Sequence, residues 1–207
     1  MRLRRKPWVD EAIKEFNSFV FVKDDDDVFT KKGAWSPDSP LYVELGTGKG
    51  DFLRQKAALL PQVNFVGLEL QQDVLYSAAK KISDAGLTNV RLAVFDINRI
   101  EEIFAPGEVA RFYINFCDPW PKLRHAKRRL TYRAFLQKYR RLLVPKGELF
   151  FKTDNRLLFD FSLGEFAAEN LTVRVADFDA VPDDAPTEYE QKFRAKGNPI
   201  CRAEAVF

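Results

Sequence analysis

The residues with the clearest chemical potential begin with a glycine-rich segment at residues 44–50, which reads ELGTGKG. Gly46, Gly48 and Gly50 carry no side chains, so a ligand can approach the backbone closely at each of them. A helical pattern follows from Asp51, and a helix N-terminus presents unpaired N–H groups and positive potential. Because loops of this kind bind dinucleotides or S-adenosylmethionine, the segment predicts a site for one of these two ligands.

The spacing of the glycines separates the two ligands. The dinucleotide fingerprint is G-x-G-x-x-G, whereas this segment reads G-x-G-x-G and Asp51 stands where the third dinucleotide glycine would fall. An acidic residue, Glu44, also precedes the loop. Both features favour S-adenosylmethionine, and a dinucleotide-dependent oxidoreductase is the weaker alternative.

Four acidic residues mark the ends of four successive predicted strands: Glu44, Glu69, Asp96 and Asp118. In parallel α/β folds, ligands lie across the carboxyl ends of the strands. Glu69 is placed to accept hydrogen bonds from both ribose hydroxyls, and Asp96 from the adenine amino group. Acids after strands also cap helices, and Asp96 alone fits either interpretation. The four acids together, beside the glycine loop, favour a cofactor pocket.

A rigid turn follows the fourth predicted strand, where residues 115–122 read NFCDPWPK. Pro119 and Pro121 flank Trp120, and proline fixes its own backbone angle and removes a donor. The stretch resembles the Asn/Asp-Pro-Pro-Tyr turn of methyltransferases that modify nitrogen atoms, so we expect Asp118 to face the methyl group of the cofactor. Trp120 either stacks on a base or wedges the turn.

A basic segment comes next, because residues 119–147 contain no Asp or Glu. Ten basic residues lie in that stretch: Lys122, Arg124, Lys127, Arg128, Arg129, Arg133, Lys138, Arg140, Arg141 and Lys146. A solvated helix face is the alternative interpretation, but the part of the segment at residues 123–131 adjoins the expected reaction centre and has no acidic partners. It therefore predicts phosphate contacts. The only histidine, His125, fits a phosphate or structural contact better than a catalytic base.

The elements that position these residues alternate between strand and helix from residue 41 onward. Strands are predicted at residues 41–45, 64–68, 90–95, 111–116, 148–152, 171–177 and 200–207, and helices at 51–60, 71–85, 97–104, 130–143 and 156–170. Gly86 is predicted to stop the second helix, and residues 144–147 to stop the fourth. Thr187 is predicted to cap the start of a further helix. This order predicts a Rossmann-like α/β fold, with a mostly parallel seven-stranded sheet and helices on both faces. The domain prediction is a single domain at residues 1–207, with 1–35 as a basic N-terminal extension.

The composition of the chain argues against a membrane-spanning, a secreted or a metal-binding protein. No apolar run approaches the roughly 20 residues of a membrane span, and no apolar stretch follows the basic start as in a secretory signal. The two cysteines give neither a disulfide framework nor metal-ligand spacing. The acidic run at residues 24–27 lacks the glycine and final Glu of a calcium loop. We expect a cytoplasmic protein with no metal.

The most specific stretches, at residues 44–50, 115–131, 151–155 and 187–193, together resemble the bacterial tRNA (guanine-N7-)-methyltransferases over nearly the whole chain. The resemblance implies a class I S-adenosylmethionine-dependent enzyme of tRNA modification that makes 7-methylguanosine in the variable loop. It implies that the cofactor is bound by Glu44, Gly46, Gly48, Gly50, Glu69, Asp96 and Asp118, with Asp118 also catalytic. It implies that the substrate nucleotide is bound by Lys122, Asp154, Thr187, Glu188, Tyr189 and Glu190. It implies that RNA is bound by Arg124, His125, Lys127, Arg128 and Arg129. Cys117 departs from the family's usual serine.

The chemistry agrees with this resemblance, since guanine N7 has a free lone pair and no proton to remove. No strong base is needed, and a carboxylate such as Asp118 or Asp154 can stabilise the cationic purine. Other targets remain open, namely an exocyclic amine of RNA or a protein glutamine. A tRNA-binding module without catalysis would show damage to the glycine loop or the acids. The pattern leaves monomer or homodimer undecided.

Overall fold

The computed structural model describes residues 6–22, 38–182 and 184–207. The chain divides into two compact units, the first ending at Arg99 and the second beginning at Ile100. Much of the predicted N-terminal extension lies outside the described residues, and so does the acidic run at 24–27. Residues 6–22 pack on the rest of the first unit, where the Trp8 ring lies 5.3 Å from Tyr76 and the Lys6 amide donates to Asp73.

The first unit alternates strand and helix as the sequence predicts. Its elements are α1 (Val9–Ala12), a 3₁₀ helix (Ile13–Phe16), β1 (Val20–Phe21), β2 (Leu41–Leu45), α2 (Asp51–Leu59), β3 (Asn64–Glu69), α3 (Gln72–Asp84) and β4 (Val90–Val94). The strand order is β1-β4-β3-β2, and every pair is parallel. Parallel pairing places the ends of β2, β3 and β4 at one edge of these strands.

The central strands of this unit are rich in apolar residues because they are buried. Almost every residue of β2 and β3 is buried, as in parallel strands covered on both faces, which read as apolar runs. Gly67 in β3 leaves room for its neighbours, because a Cβ there would lie 2.8 Å from both Leu53 and Leu92. α3 buries one apolar face and ends just before Gly86, whose φ of 62° suits the residue after a helix.

The second unit carries four strands and three α-helices among its described residues. Its elements are β5 (Val109–Asn115), a 3₁₀ helix (Leu123–Arg128), α4 (Arg133–Leu142), β6 (Leu143–Thr153), α5 (Arg156–Ala168), β7 (Thr172–Asp177), α6 (Glu188–Arg194) and β8 (Cys201–Val206); another 3₁₀ helix covers Ile97–Glu102. The strand order is β5-β6-β8-β7. β5 and β6 are parallel, and β8 runs antiparallel to both of its neighbours.

Two features differ from the sequence prediction. The described residues form eight strands, not seven, because the two-residue β1 is too short to give a sequence pattern. β6 also begins at Leu143, whereas residues 144–147 were predicted to stop a helix. The turn chemistry is present, with Lys146 at a φ of 63°. β6 nevertheless continues through these residues, which form a bulge. At the bulge the pairing with β5 shifts from Val109↔Leu143 to Arg111↔Glu148.

Among the described residues, no helix is both long enough and apolar enough to cross a membrane.

Candidate functional site

The glycine loop of the first unit joins β2 to α2 in a conformation that requires glycine. Gly46, Gly48 and Gly50 have φ angles of 80°, 57° and 76°, which side chains disfavour. A Cβ on Gly50 would lie 2.6 Å from the Cβ of Ala78, whereas a Cβ on Gly46 or Gly48 would meet nothing within 4 Å. Gly50 therefore allows close helix packing. Gly46 and Gly48 leave open space over the backbone.

The end of β3 holds this loop in place through the main chain. The amides of Gly46 and Thr47 both donate to the carbonyl of Leu68 at 2.9 Å. The Thr47 hydroxyl donates to the Glu44 carboxylate at 2.6 Å, and the Glu44 side chain is buried. A buried carboxylate at the loop entrance fits a ligand with hydrogen-bond donors or positive charge.

Glu69 and Asp96 end the next two strands, as predicted. Glu69 accepts from the Gly48 amide at 3.2 Å and from the Gln71 amide at 3.0 Å. Asp96 accepts from the amide and the side chain of Asn98 at 2.9 and 2.8 Å, which is the helix-capping contact that the sequence left open. In parallel register, Glu69 pairs with Val94. Glu44, Glu69 and Asp96 thus share one edge of adjacent strands.

In the second unit, the turn after β5 is strained. Phe116 and Trp120 have φ angles of 54° and 42°, a region that costs a residue with a side chain about 1–2 kcal/mol. The Phe116 amide donates to the Lys152 carbonyl at 2.9 Å, which ties the turn to β6. Asp118 lies between the two strained residues and is exposed. Strained backbone of this kind is concentrated at functional sites.

Cys117 precedes Asp118 in this turn. Burial raises the pKa of its thiol to about 12, and the negative charge of Asp118 acts in the same direction. The thiol therefore stays protonated at neutral pH. A protonated thiol is a weak nucleophile, so this environment gives no support to covalent chemistry at Cys117.

Three elements of the second unit meet around Tyr189. Its hydroxyl donates to Asp154 at 3.1 Å, and its ring packs on Phe116 at 5.0 Å and on Phe193 at 4.3 Å between centroids. Burial, together with the charge and hydrogen bond of Asp154, raises the pKa of Tyr189 to about 12. The structure thus brings the turn after β5, the end of β6 and the start of α6 together.

The start of α6 is capped as predicted, and one predicted substrate contact, Glu190, lies in a buried ion-pair network. The Thr187 hydroxyl accepts from the Glu190 amide at 2.9 Å, which confirms Thr187 as the N-cap. Glu190 is fully buried, and its carboxylate binds Lys152 at 3.1 Å and Arg194 at 2.8 Å. The Glu190 carboxylate is therefore enclosed by two cations, and its contact with the substrate stays a prediction. Glu188 is exposed.

Lys152 is the residue of this group that sequence reasoning missed. It is the last residue of the predicted strand at 148–152, with Phe150 and Phe151 before it, and its side chain is buried. A lysine within an apolar strand was the available signal, since lysine is almost never buried without a partner.

Within the basic segment, the residues from Lys122 to Arg128 differ in exposure from Arg129. Lys122, Arg124, Lys127 and Arg128 are exposed, and His125 is half-buried. The Trp120 ring contacts His125 edge-on at 5.7 Å and Arg128 at 4.8 Å, which favours the structural interpretation of Trp120. Arg129 is also predicted to contact RNA, but it differs from the other four because it is buried within the second unit.

Known proteins resemble this chain in sequence and in fold. Residues 38–203 match the Methyltransf_4 family, described as "Putative methyltransferase". A tRNA (guanine-N(7)-)-methyltransferase from Geobacillus kaustophilus (strain HTA426) is 45% identical, with 100% of this chain and 97% of that protein covered. A protein of the same name from Listeria monocytogenes serotype 4b (strain F2365) is 43% identical, with coverages of 100% and 99%.

Solved structures confirm the predicted fold class. A SAM dependent methyltransferase from Aquifex aeolicus has a TM-score of 0.57 at 13% identity, covering 96% of this chain and 88% of that one. At an identity this low, the similarity supports only the fold, which is the Rossmann-like α/β fold with a mostly parallel sheet.

Proposed function

Because the chain belongs to the bacterial tRNA (guanine-N(7)-)-methyltransferase family, we propose that it transfers a methyl group from S-adenosylmethionine to N7 of a guanosine in tRNA. The observation that carries this proposal is the 45% identity over the full chain to a relative of that name. The product is 7-methylguanosine, and the target lies in the variable loop.

The residues of the first unit fit the methyl donor. Gly46 and Gly48 leave open space over the loop backbone, where a ligand can approach without meeting a side chain. Glu44, Glu69 and Asp96 supply carboxylates at the same strand edge, for the amino acid, ribose and adenine parts of the donor. Gly50 holds α2 against α3, which keeps the loop in this conformation. When bound, S-adenosylmethionine supplies a methyl group on a positively charged sulfur, which keeps the C–S electrons as the methyl leaves.

The acceptor atom explains which protein groups the reaction needs. Guanine N7 has an in-plane lone pair that forms the new N–C bond, and it loses no proton, so no general base is required. The purine becomes positively charged as the bond forms. Asp118, exposed in the strained turn, stabilises that charge and also contacts the cofactor. Fixed carboxylates of this kind stabilise charge that develops in the transition state.

The second unit supplies the groups for the substrate nucleotide. Tyr189 fixes the Asp154 carboxylate through a hydrogen bond of 3.1 Å, so Asp154 can accept from the base edge without reorganising. The other residues that bind the substrate nucleotide in this proposal are Lys122, Thr187 and Glu188. The buried Glu190 supports them through Lys152 and Arg194.

The exposed basic side chains bind the tRNA backbone. Arg124, Lys127 and Arg128 are exposed in and around the 3₁₀ helix at Leu123–Arg128, and His125 contributes from its half-buried position. Contacts of this type depend steeply on salt and carry little sequence information. The chain acts as a single catalytic domain, and the basic residues at its N-terminal end, MRLRRK, add to this attraction. The site of action is the cytoplasm.

The test is methyl transfer from labelled S-adenosylmethionine to unmodified tRNA, followed by nucleoside mass spectrometry. We expect 7-methylguanosine as the labelled product. If a different methylated nucleoside were labelled, the cofactor assignment would stand and N7 as the target atom would be overturned. Tight tRNA binding without transfer would instead support a binding module.

A further inference from the structure

Arg129 closes a loop within the second unit. Its Nε donates to the carbonyl of Pro119 at 3.1 Å, and its Nη2 donates to the carbonyl of Trp120 at 3.1 Å. These two carbonyls belong to the turn that carries Asp118. The guanidinium thus joins Arg129 back to this turn, ten residues earlier in the chain.

The turn needs such a donor because its own backbone offers few. Pro119 and Pro121 have no N–H groups. Pro119 and Trp120 are half-buried, and a carbonyl withdrawn from water without a donor is costly. Phe116 and Trp120 are held in the left-handed region, which persists only where surrounding contacts impose it. A planar guanidinium reaches two neighbouring carbonyls at once with its fixed fork of donors, so one side chain sets the relative position of both peptide groups.

Arg129 is itself held from two sides. Its guanidinium lies 4.2 Å from the ring centroid of Phe161 on α5, which stabilises the charge away from water. Its backbone amide donates to Ala126 at 3.0 Å, and its carbonyl accepts from Tyr132 at 2.9 Å. Only 7% of the residue is exposed. The side chain is therefore an internal support with a fixed geometry.

We propose that Arg129 is a positioning residue that holds the Asp118 turn in its reactive conformation, and that it makes no phosphate contact with tRNA. This inference rests on the proposed methyltransferase function. It assigns opposite roles to two adjacent arginines, because the Arg128 side chain is exposed and Arg129 is buried. Loss of Arg129 then affects turnover with bound substrates, and loss of an exposed cation affects tRNA affinity.

Two substitutions separate these roles. A phosphate contact accepts lysine, which binds phosphate as a point charge, but lysine cannot reproduce a fork to two carbonyls. We expect Arg129→Lys and Arg129→Gln both to lower kcat at saturating tRNA and S-adenosylmethionine roughly 10- to 100-fold, the loss that a small misplacement produces. The Kd for tRNA and its salt dependence stay within about twofold of the wild-type values.

Matched variants make the result specific. Lys127→Gln removes an exposed cation of the same segment, and we expect it to weaken tRNA binding and reduce the slope of log Kd against log salt by roughly 0.7–0.9. Phe161→Leu removes the ring beneath the guanidinium, and we expect it to lower kcat without changing the tRNA Kd. Phe161→Leu keeps the inference testable should Arg129→Gln fail to fold, which circular dichroism and thermal unfolding report.

The outcomes distinguish this inference from the proposed function. An active wild-type protein with a fully active Arg129→Lys variant, and an Arg129→Gln variant with lower tRNA affinity and a reduced salt slope, would overturn the positioning role alone. A wild-type protein that transfers no methyl group to tRNA would overturn the proposed function and this inference with it. Loss of kcat in both Arg129 variants and in Phe161→Leu, at unchanged tRNA affinity, supports the positioning role.

Discussion

Replacing Gly50 with alanine tests how the glycine loop is built, because two separate costs meet at this residue. Alanine at a φ of 76° loses about 1–2 kcal/mol to left-handed strain. The new Cβ would also lie 2.6 Å from the Cβ of Ala78 and 3.0 Å from its Cα, and overpacking of this kind costs about 1–3 kcal/mol. We expect Gly50→Ala to lower the free energy of unfolding by about 2–5 kcal/mol.

Gly48→Ala is the matched control for the strain. Its φ is 57°, so it carries a similar backbone cost of about 1–2 kcal/mol, but its Cβ would meet no atom within 4 Å. The difference between the two variants isolates the contact with α3. Urea unfolding followed by circular dichroism measures both variants. Calorimetric titration should show weaker S-adenosylmethionine binding by Gly48→Ala, because its methyl group enters the open space over the loop.

A compensating change sharpens this test. Ala78→Gly removes the atom that clashes, at a cost of roughly 1 kcal/mol for glycine within a helix. The double variant Gly50→Ala/Ala78→Gly should therefore be more stable than the sum of the two single effects predicts, by about 1–3 kcal/mol. Additive effects, or a Gly50→Ala variant no less stable than Gly48→Ala, would refute this account of the loop.

Three further predictions concern the second unit. Asp118→Asn should lower kcat roughly 100-fold or more with little change in tRNA Kd, and full turnover in steady-state assays would contradict its role. Glu190→Gln leaves the buried Lys152 without this carboxylate, so urea unfolding should show a loss of about 3–5 kcal/mol; a loss below 1 kcal/mol would argue against the buried network. Hydrogen bonds from Arg133 lower the pKa of Glu165 below its ordinary 4.5. The resulting stability is present above pH 4.5 and lost as the pH falls through the lower folded-state pKa. Arg133→Gln should flatten the acid side of the Tm profile, and an unchanged profile would rule this contribution out.

The elements around the glycine loop could be predicted from the sequence because local signals decide them. β2 was predicted with its observed bounds, Leu41–Leu45, and the first residue of α2, Asp51, was also correct. Apolar runs, glycine spacing and a stop at Gly86 act over a few residues each. The Thr187 cap followed from the same kind of local rule.

The burial of Arg129 and Glu190 could not be predicted, because it depends on residues distant in the chain. Arg129 belongs to a run of basic residues with uniform composition, and only Phe161 and the turn carbonyls distinguish it from Arg128. Glu190 pairs with Lys152, 38 residues earlier. The periodicity of the sequence does not reveal such long-range contacts.

The start of β6 was missed for a related reason. Residues 144–147 have the chemistry of a turn, and Lys146 adopts a positive φ. Pairing with β5 nevertheless carries the strand through this point as a bulge. Local propensity gave the backbone angle correctly, and the neighbouring strand decided the secondary structure.

The most direct test of the proposed reaction compares two transcripts of one tRNA, made with guanosine or with 7-deazaguanosine. The second transcript has a C–H group where guanine has N7, and the Watson–Crick edge of the base is unchanged. We predict methyl transfer to the first transcript, and no transfer to the second at similar tRNA affinity. Equal methylation of both transcripts would contradict N7 as the acceptor and would direct attention to another atom of the RNA.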